Sequence, residues 1–81
     1  MREREQEVLR GLMKVLARMD LCDEDVLYDA VLKVVPRLLI SELQVGIKEA
    51  QRRQWIDGVK GVFDNNKWSA TDLGRSAELK M

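Results

Sequence analysis

The chain has no histidine and only one cysteine, Cys22. Without histidine it forms neither a histidine-based catalytic triad nor a histidine-ligated metal centre. A lone cysteine makes no internal disulfide and no zinc site, and a reducing, cytoplasmic setting is the simpler expectation. Asp20 and Asp23 stand beside the thiol and raise its pKa, the opposite of what a nucleophile needs. No phosphate-cradling loop of the Walker type occurs. Gly58-Val59-Lys60-Gly61 has the spacing of a KH clamp loop, but it falls within an expected strand rather than between helices. These absences argue against an enzyme, a cofactor or a small-molecule substrate.

Long apolar runs are missing too. Val31 to Ile40 is the most apolar stretch, and Lys33, Pro36 and Arg37 interrupt it. It falls short of the roughly 20 residues that a membrane span requires. The first residues alternate Arg and Glu instead of leading into the apolar segment of a signal peptide. Neither sign of charge is in excess: 14 basic residues balance 14 acidic ones. A dedicated nucleic-acid domain is usually distinctly basic, so this balance counts against DNA binding.

What is present is enough apolar sequence, 46% against 35% charged, for one small folded domain across residues 1–81. There is no internal repeat, linker or low-complexity segment. A core of this size supplies roughly 3–5 kcal/mol, so a partner or second copy would add materially to stability.

Taken in order, Met1 to Met19 is expected to be a helix, with Leu9, Leu12, Met13, Leu16 and Met19 recurring at three and four residues and Val8 and Val15 widening the stripe. Asp23 is the expected N-cap of a second helix, with Cys22 and Leu27 as a hydrophobic staple and Glu24 and Asp25 suiting the positive helix end. The same acidic trio resembles a metal site, but adjacent carboxylates point different ways around a helix, and capping accounts for them. Pro36 ends this helix. Arg37 to Ile40 is a brief strand or an extended link. Ser41 and Gln44 form a capping box for a third helix to about Arg53, with Leu43, Ile47 and Ala50 inward and Gln44, Val45, Lys48, Gln51 and Arg52 outward. Trp55 to Phe63 and Lys67 to Ala70 read as strands around an Asp64-Asn65-Asn66 turn, with a bulge at Gly58 or Gly61. Both tryptophans, at strand positions, are expected in the core. Thr71 caps a last short helix holding Leu73, Ala77 and Leu79.

Three helices followed by a hairpin resemble a winged helix-turn-helix domain. The resemblance rests on Gln54-Trp55-Ile56-Asp57-Gly58-Val59 and on Trp68-Ser69-Ala70-Thr71-Asp72-Leu73-Gly74-Arg75. These are similar to the way small bacterial and phage winged-helix proteins leave their recognition helix and close their wing. The likeness covers about Asp23 to Leu79 as helix-turn-helix plus wing, and residues 1–22 fit more loosely. Such domains commonly place glycine where this chain has Gln54, which implies a less sharp helix end.

The resemblance implies a mainly α, α+β fold: a three-helix winged helix-turn-helix with a C-terminal wing and a short closing helix. It also implies double-stranded DNA as partner, in a transcriptional regulator or accessory factor. Gln44, Lys48, Gln51 and Arg52 would face bases or phosphates, with Arg53, Lys60 and Lys67 on phosphates. Glu42, Glu49, Asp57 and Asp64 oppose this. The alternative is a protein-docking or dimerisation module on the same fold. In the first helix Val8, Leu12, Val15 and Met19 form a second apolar line, beyond the roughly 100° stripe that a three-helix core needs. The reading favours a two-fold homodimer through that line. Otherwise Leu73 and Leu79 cover it within one monomer.

Overall fold

The computed structural model describes residues 3–19, 21–60 and 66–80, and for Val59, Lys60 and Asn66 the backbone alone. Helix α1 (Glu3–Leu16) leads into a two-residue strand, β1 (Cys22–Asp23), and then α2 (Glu24–Val34) and α3 (Ile40–Arg52). Strands β2 (Ile56–Lys60) and β3 (Asn66–Ala70) follow, and α4 (Asp72–Leu79) closes the unit. The described chain is mainly helical with one small antiparallel sheet in the order β1-β3-β2. None of its helices is long and apolar enough to cross a membrane.

α1 lies at the centre, packed on α2, α3, α4 and β3. That placement explains its wide apolar stripe. Val8, Leu9, Leu12, Met13 and Leu16 are all buried, together with Leu27, Val31 and Val35 on the α2 side and Leu43, Ile47 and Ala50 on α3. Val8 and Leu12 reach Gly46 of α3, where the missing side chain leaves room for them: a Cβ there would sit 3.2 Å from Val8 Cγ1. Val15 and Met19 are half-buried against the same core. Of the second apolar line, Val8 and Leu12 therefore fill the α1–α3 contact, while Val15 and Met19 stay half-exposed at its far end.

The closing helix does not cover that line with leucines either. Leu73 and Leu79 point to solvent, Leu79 at 85% exposure. Gly74 makes the contact instead, beneath the Trp55 carbonyl and 2.8 Å (for a notional Cβ) from Met13 Cε. Only a residue without a side chain fits between them.

Other elements depart from expectation for local reasons. α1 ends at Leu16 rather than Met19, because the backbone tightens into Arg18 N–H to Val15 and Met19 N–H to Leu16 bonds. β1 lies outside the expected elements, since two residues carry no periodicity. It forms because Cys22 pairs with Trp68 and Asp23 with Lys67. Asp23 does stand at the N-cap of α2, in extended geometry, but its side chain makes no capping bond. α3 begins earlier than the Ser41–Gln44 box suggested. Leu39 is the N-cap, and its N–H donates to Glu42 Oε1 at 3.0 Å. Register runs unbroken from Ile56↔Ala70 to Lys60↔Asn66, so Gly58 carries no bulge. Gly58 instead faces the Trp68 indole, where a Cβ would lie 2.7 Å from Cζ3. Gly61 and the Asp64-Asn65 part of the turn lie outside the described residues.

The end of α3 is sharp despite the absent glycine. Gln54 takes φ 61, the left-handed geometry. Its N–H bonds to Gln51 O and the Trp55 N–H to Ala50 O, each at 2.9 Å, which is a full Schellman pattern. Thr71 locks this corner to α4: its hydroxyl donates to Gln54 O at 2.7 Å and accepts from Gly74 N–H at 3.0 Å. The two stretches that carried the winged-helix likeness are thus joined in space.

Candidate nucleic-acid interface

α3 has a buried face and two distinct exposed edges. Glu42 and Glu49, seven residues apart, share the edge toward α1. Gln44, Lys48 and Gln51, at i, i+4 and i+7, share the other and are all exposed. This second edge forms one wall of an open cleft of about 650 Å³ against the hairpin, with Ile47 as floor, Gly58 and Trp68 opposite, and Glu24 at one end.

Each carboxylate on the first edge is bound to arginine. Arg4 of α1 donates through Nε to Glu42 Oε2 at 2.8 Å and through Nη2 to Oε1 at 3.2 Å. The same guanidinium reaches the Pro36 and Arg37 carbonyls at 3.1 and 3.3 Å. α1 therefore pins the α2–α3 turn, where Arg37 holds φ 61. Arg4, with the Leu39 N–H, keeps the Glu42 carboxyl below its ordinary range. Glu49 accepts from Arg52 and Arg53, and these bonds lower its pKa to about 2. The anions that would oppose DNA on α3 are thus engaged away from the cleft.

The expected contact residues are divided by this geometry. Gln44, Lys48 and Gln51 are brought together in the cleft. Arg52 is exposed but paired with Glu49. Arg53 is half-buried, pairs with Glu49 and lies over the Trp55 ring, 4.8 Å from its centre. Lys67 stands across the sheet from Asp23, 3.9 Å from Oδ1, too far for a hydrogen bond. The Lys60 backbone belongs to β2, and its side chain lies outside the described atoms. Asp57 is exposed on the hairpin.

Two cleft residues escaped the sequence reading. Glu24 looked like dipole compensation alone, and only the packing of α2 beside α3 brings it to the cleft. Trp68 was expected in the core and is buried, yet its ring also walls the cleft, and its indole N–H has no partner among the described residues. Cys22, in strand β1, is buried; burial first, then the Asp23 charge, pushes its thiol pKa up. No family model, curated protein or solved structure matches the chain.

Proposed function

We propose that the chain is a winged helix-turn-helix domain that binds double-stranded DNA weakly, with α3 as recognition helix and β2–β3 as wing. The order of helices and strands and the β1-β3-β2 sheet support the fold reading. One observation carries the functional reading. Glu42 and Glu49 are tied to arginines on one edge of α3, and Gln44, Lys48 and Gln51 are left together on the other. Glutamine offers paired donor and acceptor groups to adenine in the major groove, and lysine meets guanine or phosphate. A regulatory or accessory role in the cytoplasm is part of this reading.

Because Arg52 and Arg53 serve Glu49, few cations remain for phosphates. Affinity at physiological salt should be no tighter than about 10⁻⁵ M, with a logarithmic salt slope of roughly −2 to −3. Anisotropy with labelled duplexes across a salt series tests this, and Lys48→Glu should abolish the signal. Absence of binding at every salt concentration would leave the docking-module alternative. That alternative has its own support in the exposed Leu39 and Ile40 at the head of α3.

A further inference from the structure

We infer that the groove between α2 and the head of α3 docks a cationic amphipathic helix from a partner protein. The groove, about 370 Å³, has Tyr28, Ile40 and Leu43 along its floor and Glu24, Asp25 and Asp29 on its rim. No lysine or arginine among the described residues lines it. None of the three carboxylates forms an ion pair among the described residues. Tyr28 is fixed by its hydroxyl, which donates to Leu38 O at 2.8 Å, so the floor is preformed.

The head of α3 breaks a local rule at this same place. N-cap positions favour Ser, Thr, Asp or Asn, whose oxygens accept from the free amides. Here Leu39 is the N-cap and Ile40 follows, each 61% exposed. Polar residues would stabilise the free domain better, so Ile40, which lines the groove, is accounted for by burial in a complex, with Leu39 exposed beside it. The chemistry of that partner follows from the lining. An apolar floor between helices takes the apolar face of a third helix, anchored at i, i+3 or i+4, and i+7. An all-acidic rim takes lysine or arginine heads at its edges, with their methylene stems over the floor. The site goes beyond the DNA reading: it borders the cleft at Glu24 and Gln44, which line both, but uses neither Lys48, Gln51 nor the hairpin.

The test is anisotropy with a labelled helical peptide bearing leucines on one face and lysines along both edges, set against the same peptide with glutamate for lysine. The lysine peptide should bind and the glutamate peptide should not. Ile40→Ser and Asp29→Lys should each weaken binding about tenfold or more. Both positions are exposed, so both variants should keep the wild-type urea midpoint within error or raise it. Leu39→Asp should raise that midpoint. Equal binding of the two peptides, or unchanged binding by folded Ile40→Ser, would overturn the proposal. So would sedimentation showing a dimer that Ile40→Ser dissociates, since the occupant would then be a second copy of the chain. DNA binding enters none of these measurements.

Discussion

Glu49 and Arg52, three residues apart on α3, are joined by two hydrogen bonds of 2.6 and 3.1 Å. Bidentate arginine–carboxylate pairs are the stronger and more directional kind. With Arg53 as second donor, the pair holds the Glu49 carboxyl at about 2, below its ordinary 4.5. A carboxyl lowered in the fold stabilises fully above the ordinary value, and the contribution fades as pH falls through the folded value. Urea midpoints of wild type and Glu49→Gln should therefore differ most above pH about 4.5 and converge as pH approaches about 2. A gap independent of pH would mean that the pairing contributes nothing to the fold.

The assignment of faces on α3 has a direct test. Ile47 is buried and Gln51 exposed. Ile47→Ala should cost roughly 2–5 kcal/mol in urea melts, as large-to-small core changes do. Gln51→Ala should change stability by less than about 0.5 kcal/mol. Equal costs would contradict the assignment.

Gln54 pays for its left-handed backbone, so glycine there should improve the helix end. Gln54→Gly should raise stability by roughly 0.5–1 kcal/mol, the gain reduced by the freer unfolded chain. Thermal or urea unfolding measures it, and a loss would indicate that the Gln54 side chain supports the fold in some other way.

Leu12 separates core from interface. Its side chain is fully buried between α1 and α3. Leu12→Asp places a charge where it has no partner, at a cost comparable to the whole stability of a small domain. Far-UV circular dichroism should show an unfolded chain. A folded variant whose only change is half the mass would restore the dimer through that line.

Helix positions were legible wherever three- and four-residue spacing met a one-sided environment, as at Leu43, Ile47 and Ala50. The reading failed where the environment was two-sided. α1 touches four elements, so Val8 and Leu12, half of its second line, looked surplus to a core drawn from three helices. The alternative in which Leu73 covers α1 has no room, since the space beside Trp55 admits only Gly74 and Leu73 stays exposed. β1 was invisible because its two residues owe their geometry to Trp68 and Lys67, more than forty positions away. In the candidate site, the row Gln44, Lys48 and Gln51 could be read from spacing. The withdrawal of Glu42 could not, since it depends on Arg4, 38 residues distant.

The central claim is that the Gln44–Lys48–Gln51 edge of α3 meets duplex DNA. Nitrogen-resolved NMR of the full chain, titrated with duplex at low salt, reads it through the side-chain amides themselves. The amide resonances of Gln44 and Gln51 should shift or broaden in proportion to added DNA, and those of Gln6, exposed on α1, should stay in place. Unmoved Gln44 and Gln51 resonances, or shifts centred on Gln6 and α1, would contradict the account.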